Sequence, residues 1–327
     1  MGAGSSSGQG RLKLCASSGT PATPLRQRGM TPTPRSATLI GLTAIALWAT
    51  LAILTASTGA VPPFELTAMT FAIAGTAGCA VAAFRPGGLR AALRQPLVAW
   101  AHGVGGLFGF HFFYFTALKL SPPAEASLVA YLWPLLIVLF SAALPGEKLA
   151  ARHLVGAAAG LAGTALLIGA RAGSGLSFEA GDLLGYVSAL ACAIVWAAYS
   201  VSSRFFAKTP TEAVAGFCLG TAALAAFCHL ALETTVWPEG ARQWLAIAGL
   251  GLGPVGLAFF VWDVGMKHGD VRLLGVAAYA APLMSTLLLV AFGYAQASLS
   301  LGLACALIVG GAALATLGGR LRRPAKA

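Results

Sequence analysis

The sequence predicts an all-α integral membrane protein: ten transmembrane helices arranged as two inverted five-helix repeats around a central cavity. Three observations carry this. Of the 327 residues, 57% are hydrophobic and only 9% are charged, whereas a soluble domain carries about 25% charged residues. Ten apolar stretches are long enough to cross a hydrocarbon core of about 30 Å as helices of about 20 residues. Finally, residues 48–163 recur weakly, without a gap, 148 positions later. Trp48 returns as Trp196, Pro62 as Pro210, Gly103 and Gly105 as Gly251 and Gly253, and Phe112 as Phe260. Lys119 returns as Lys267, Tyr131 as Tyr279, Pro134 as Pro282 and Gly163 as Gly311. Each half holds five spans, an odd number, so the second half enters the membrane upside down relative to the first. Inverted halves of this kind are the ground plan of secondary transporters.

Residues 1–36 hold Ser, Gly, Thr, Pro and Arg with no apolar run, the composition of a disordered cytoplasmic tail. Met1-Gly2 with Ser6 matches a myristoylation pattern and Leu12–Cys15 loosely resembles a lipobox, but no apolar segment precedes Cys15. Neither is read as an anchor, and Met30 is an alternative start. The first repeat occupies 37–171, with spans at 37–57, 64–84, 97–118, 124–144 and 152–170. The second occupies 172–319, with spans at 181–204, 212–232, 243–266, 271–293 and 297–318. Turn signals separate them, among them Pro62-Pro63, Arg85–Gly88, Pro122-Pro123, Pro145-Gly146 and His268–Asp270. Residues 320–327 form a basic tail.

The net charge of +11 does not point to nucleic acid, because the basic residues lie between spans and form no basic motif. With the N-terminus inside, eighteen Lys and Arg fall on the cytoplasmic side, and Lys119, Arg171 and Arg242 on the other. That bias places both termini in the cytoplasm of a multi-pass inner (plasma) membrane protein. Five of the six cysteines lie inside spans and act as small apolar residues. No metal spacing or disulfide framework is present, and no cofactor is expected.

The third span contains Phe108-Gly109-Phe110-His111-Phe112-Phe113-Tyr114-Phe115. At about 100° per residue, Leu107, His111 and Tyr114 share one face. Phenylalanines suit lipid, but an imidazole and a phenol in hydrocarbon need partners, so this face is expected to line the cavity together with Phe110. In the fourth span Ser127, Tyr131 and Pro134 share a face, whereas Trp133 points about 160° away from Tyr131 on an unbroken helix. Pro134 and Pro282 fall at symmetric depth, each three residues after a tyrosine. A mid-span proline frees a carbonyl, which is tolerated where the helix lines a cavity. Trp48 and Trp196 lie too deep for the interfacial belt that explains Trp100, Trp237 and Trp244. Helix packing and stacking on a ligand remain as their roles.

Gly251-Leu252-Gly253-Pro254-Val255-Gly256 matches a dinucleotide fingerprint by letters, but no strand precedes it. Close helix packing and a bend at Pro254 explain it. Gly156, Gly160, Gly163, Gly310 and Gly311 read as packing surfaces, making the fifth and tenth spans scaffold or dimer contacts; the expected state is a monomer or weak homodimer. Glu65, Glu125 and Asp182 stand at helix starts and complement the dipole, and Asp263 with Lys267 reads as an i, i+4 pair near the cytoplasmic surface. No catalytic motif is present, so no enzyme is expected. Nor is there a symmetric pair of membrane carboxylates, so tight ion coupling is not indicated, although His111 keeps it open.

Phe115–Lys119, then Pro123–Leu128, Tyr131–Leu135 and Pro145-Gly146-Glu147-Lys148-Leu149, resemble the EamA repeat of the drug/metabolite transporter superfamily. The run from His111 to Pro134 is similar to the YddG-type aromatic amino acid exporters. Ala295-Gln296 departs from the pattern where an acidic residue is expected. The resemblance implies ten helices with a cavity walled by spans 1, 3, 4, 6, 8 and 9. It also implies export of aromatic amino acids and similar flat solutes. Combined with the residue readings above, the expectation is alternating access, facilitator-like, with a substrate site at Trp48, Phe110, His111, Tyr114, Ser127, Tyr131, Trp133, Trp196 and Tyr279. Pro134, Pro254 and Pro282 are the candidate hinges. Alternatives are transport of another class (other amino acids, cationic aromatic drugs, sugar phosphates) or a non-transporting sensor or assembly protein. Sugar phosphates would require cavity-facing Lys or Arg, and only Lys119 and Lys267 are candidates, both near span ends. His111, Tyr114 and Trp133 have Phe259, Trp262 and Ala281 as mates, so the specificity is expected to lean on the first half.

Overall fold

A helix that crosses lipid satisfies its own backbone, and every regular element of the computed structural model is a helix among its described residues, which are 1–4, 32–146, 148–172, 179–291 and 298–317. Residues 5–31 of the tail, Glu147, Ala295-Gln296 and the basic C-terminus from 318 lie outside them. The chain divides at Thr31, and the helices belong to the unit that begins at Pro32.

In the first half, span 1 is α1 (Pro34–Ala49) continued by α2 (Leu51–Ala56), and span 2 is α3 (Pro63–Ala83). The short α4 (Gly88–Leu93) leads to span 3, α5 (Leu97–Leu120). Span 4 is split into α6 (Pro123–Ala130) and α7 (Trp133–Phe140), and span 5 is α8 (Ala151–Ala172). In the second half, α9 (Leu183–Ser202) and α10 (Ala213–Leu232) are spans 6 and 7. Span 8 runs from α11 (Gly240–Leu252) through a π turn, Gly253–Leu257, into α12 (Ala258–His268). Span 9 is α13 (Val271–Ala277) and α14 (Ala280–Ala291), and span 10 is α15 (Leu299–Leu317). Among the described residues, eight helical stretches meet the length and hydropathy needed to cross a membrane. The 24-residue α5 and the 19-residue α15 complete the ten.

The repeat becomes a packing rule. Repeat mates α3 and α10 lie against each other, as do α8 and α15. The other two large contacts, α5 on α9 and α1 on α12, exchange under the same twofold relation. Lipid gives no hydrophobic drive between helices, so close approach through small residues supplies the contact. Gly41 meets the Gly265 backbone where α1 crosses α12, Gly156 meets the Gly311 carbonyl between α8 and α15, and Gly106 receives the Tyr199 ring between α5 and α9. Of the glycines read as packing surfaces, Gly156 and Gly311 face each other inside one chain, Gly160 and Gly163 receive Tyr279 and Ile308, and Gly310 meets nothing within 4 Å.

The mid-span positions of Pro134 and Pro282 predict kinks inside continuous helices. Instead, spans 4 and 9 are each two helices with a turn between them. Pro134 sits in the first turn of α7, where a missing N–H costs nothing; Pro282 is the third residue of α14. A proline ring clashes with the carbonyl four residues back. For Pro134 that is Ala130, where α6 ends, and for Pro282 it is Ala278, just past α13.

Both ends of the bundle are tied. At the end carrying Arg204 and Lys267, Thr38 Oγ1 accepts the Asp270 amide at 2.8 Å and Arg272 donates to the Lys148 carbonyl at 2.7 Å. At the opposite end Glu233 accepts the amides of Phe64 and Glu65, each at 3.1 Å, capping α3 from outside its own span. Glu65 does more than face its helix dipole: its carboxylate accepts the Val236 amide at 2.9 Å.

Gly156→Val is expected to lower the thermal midpoint of the detergent-solubilised protein, because overpacking costs about 1–3 kcal/mol. Gly105→Ala, where an added Cβ meets nothing within 4 Å, should leave it unchanged.

Candidate functional site

The centre of the bundle is an aromatic cluster whose position follows from the helix breaks. In span 8 the amide of Ala258 reaches back five residues to the Gly253 carbonyl. This passes over Pro254, its ordinary partner four residues back, and leaves the Pro254 oxygen without a helical donor. The indole N–H of Trp48 donates to that oxygen at 3.1 Å. Gly256 makes the tight turn possible, since a Cβ there would fall on the Gly251 carbonyl oxygen. The letters that mimic a dinucleotide fingerprint are thus a π turn whose free carbonyl holds a tryptophan.

Trp48 stands at the hub. Its ring centroid lies 5.0 Å from Trp262, 5.9 Å from Trp196 and 6.1 Å from Trp133. Trp133 also meets Trp196 at 6.3 Å and Trp262 at 6.1 Å, both edge-on. Edge-to-face contact suits the ring quadrupoles and contributes about 0.5–1.5 kcal/mol per pair beyond burial. Trp262 donates its N–H to Ser200 Oγ at 3.1 Å.

Around these rings lie Phe110, 5.2 Å from Trp196, and Phe259, 5.7 Å from Trp196 and stacked on Phe71 at 5.6 Å. His111 meets Phe71 edge-on at 5.0 Å. Its Nδ1 lies 2.7 Å from the Leu107 carbonyl, four residues back on its own helix. A carbonyl only accepts, so Nδ1 carries the proton, and in the neutral ring Nε2 is an acceptor. Tyr114 stacks on Phe110 at 5.9 Å, and its hydroxyl lies 3.4 Å from Ser127 Oγ, a long contact for two hydroxyls.

Trp48, Phe110, His111, Tyr114, Ser127, Trp133 and Trp196 are therefore linked through one network of contacts. Tyr131 occupies the turn between α6 and α7, half-buried, its amide bonded to the Ser127 carbonyl at 2.9 Å. That turn also sets the direction of Trp133. The 160° separation holds only on an unbroken helix, and with the helix restarting at Trp133 the indole enters the cluster. Tyr279 is placed elsewhere. It is fully buried, its ring lies against Gly160 of α8, and it packs with Val138, Leu283 and Ile308. The notch left by Gly160 takes the tyrosine into the scaffold.

Sequence reasoning passed over Trp262, Phe259 and Phe71. The first two are the repeat mates of Tyr114 and His111, and two aromatics at the mates of cavity candidates were a usable signal. Phe71 had none. The aromatic contacts come from both halves, so the expected lean toward the first half is not what the rings display. Asp263 and Lys267, taken for a surface pair, are 5% and 4% exposed.

Ten spans in two twofold-related halves, closed around a shared aromatic centre, define a multi-pass membrane transporter. The chain belongs to the EamA-like transporter family, whose model matches residues 35–169 and 183–317. It is similar to the aromatic amino acid exporter YddG of Ancylobacter novellus, 65% identical over 86% of this chain and 97% of the relative. It is 28% identical to the aromatic amino acid exporter YddG of Salmonella typhimurium, covering 78% of this chain and 88% of the relative. A crystal structure of a protein 63% identical superposes with a TM-score of 0.85, covering 89% of this chain and all of the other.

Trp48→Phe keeps a ring but leaves the Pro254 oxygen without its donor. We expect a loss of about 1–3 kcal/mol, the cost of orphaning a buried carbonyl, read as a lower unfolding midpoint.

Proposed function

We propose that this chain exports aromatic amino acids and similar flat solutes by alternating access, as a facilitator-like carrier. It acts in the inner (plasma) membrane with both termini cytoplasmic. The observation that carries the reading is the cluster of Trp48, Trp133, Trp196 and Trp262 where the two halves meet. Its members are 8% exposed or less except Trp48, which is half-buried. A substrate ring entering the cluster exchanges indole–indole contacts for indole–substrate contacts of similar worth. Binding is then weak and reversible, as a carrier requires. His111 Nε2 supplies an acceptor and the Tyr114–Ser127 hydroxyls a polar edge beside the rings, and the turns before Pro134 and Pro282 with the π turn at Pro254 are the flexing points. The relatives named as aromatic amino acid exporters support the same substrate class.

Facilitation fits the charges. Asp263 is neutralised by Lys267 at 2.8 Å, and Glu65 and Glu233 are tied into the end of α3 opposite. A sugar-phosphate dianion would call for cationic groups at the aromatic centre; Lys267 is balanced by Asp263 at 2.8 Å and Lys119 is exposed at a span end. A monomer suffices, because the contact of Gly156 with Gly311 between α8 and α15 is made within one chain.

Purified protein in liposomes loaded with tryptophan is expected to give counterflow with external tryptophan and phenylalanine, and none with threonine or lysine. The rate should not change when a pH gradient is imposed. Trp133→Ala, Trp196→Ala and Tyr131→Ala should each weaken tryptophan flux about three- to tenfold, the worth of one ring contact, while the protein stays monodisperse. Unchanged flux in all three would remove the site assignment.

A further inference from the structure

Next to the tryptophan cluster, toward the end carrying Lys267, the bundle leaves a small, partly open cleft of about 10 Å³, room for about one water molecule. One wall is the buried pair Asp263–Lys267, Nζ to Oδ2 2.8 Å. Another is flat: His102 stacks on Phe206 at 4.2 Å and lies 4.9 Å from Tyr199. Tyr199 in turn lies 5.4 Å from Trp196, so the cleft adjoins the central cluster.

Both charges are also held by the segment between α9 and α10. Thr211 donates its hydroxyl to Asp263 Oδ2 at 2.7 Å, and Lys267 Nζ donates to the Thr209 carbonyl at 2.9 Å. The anion thus receives a donor and the cation gives to a carbonyl oxygen. These are the bonds that an α-ammonium and an α-carboxylate would make with the same two groups. Burying a charge pair in a membrane protein is costly, and such residues mark solute paths. The pair belongs to one half only, since the mates of Asp263 and Lys267 are Phe115 and Lys119.

We propose that Asp263 and Lys267 form a loading site for the zwitterionic head of an aromatic amino acid at the cytoplasmic end of the path. This rests on the exporter reading above. Lys267 takes the carboxylate, Asp263 takes the ammonium, and the side-chain ring lies on His102 and Tyr199. In the present conformation Thr209 and Thr211 occupy the places of the two head groups. Withdrawal of the 203–212 segment exposes the site, and the return of both threonines releases the head group toward the tryptophans.

The test uses the full chain in liposomes with three solutes offered at the cytoplasmic face: tryptophan, tryptamine, which lacks the carboxylate, and indole-3-propionate, which lacks the ammonium. The wild type should prefer tryptophan over both. Lys267→Gln should reduce its preference over tryptamine at least fivefold, and Asp263→Asn its preference over indole-3-propionate by as much. Thr211→Val keeps both charges and removes one placeholder, so the half-saturating tryptophan concentration should fall about threefold, a gain that a merely structural contact would not produce. If the neutral variants do not fold, Thr211→Val alone decides. A half-saturation that is unchanged or raised in Thr211→Val, or equal losses for all three solutes in the neutral variants, overturns the loading site. Absence of tryptophan flux in the wild type would overturn the exporter reading instead.

Discussion

Hydrocarbon offers no donor to a backbone carbonyl that loses its helical partner, and the centre of this protein is organised around one such carbonyl. The π turn in span 8 passes over the Pro254 oxygen, and Trp48 of span 1 fills the gap with its indole N–H. Span 1 belongs to the first half and span 8 to the second, so one hydrogen bond joins the halves at their middle. It also fixes the ring about which Trp133, Trp196 and Trp262 arrange themselves. An exposed carbonyl at this depth would cost more than the bond gains, which is why the tryptophan and the proline turn depend on each other.

The other breaks follow the same rule with local partners. The turn at Tyr131–Leu132 spends its amides on Ser127 and Val129, and the turn at Ala278–Tyr279 on Leu274, Gly275 and Val276. Each break lies on a helix that borders the cluster or the scaffold beside it, where irregular backbone is shielded from lipid. The unbroken α3, α5, α8, α10 and α15 give the frame, held by glycine contacts and by ties at the two ends. A rigid frame around segmented helices is the division of labour that alternating access requires.

The charges are placed with similar economy. Glu233 caps α3 across the bundle and also meets His229 Nδ1 at 3.1 Å. Asp263 and Lys267 neutralise one another deep between α9, α10 and α12 and anchor the segment that leads into span 7. Neither group sits among the tryptophans, so the aromatic centre stays apolar and takes its polarity from His111, Tyr114, Ser127 and Ser200.

Composition and the 148-residue offset determined the membrane class, the two halves and the segments that would be helical, because hydropathy and repeat are properties of sequence alone. They also brought Trp48, Trp196, His111 and Pro254 to notice, each a residue that hydrocarbon tolerates only for a reason. Tertiary structure decided where the side chains point. A helical wheel assumes an unbroken helix, so it could not give the direction of Trp133 beyond the turn at Tyr131, and the notch at Gly160 drew Tyr279 away from its mate's surroundings. Trp262 and Phe259 joined the site because a twofold axis brings mates together: the 148-residue offset marks them as mates, and only the fold shows that they meet. The burial of Asp263 and Lys267 belongs to the same class, since it depends on Thr209 and Thr211, more than fifty residues away.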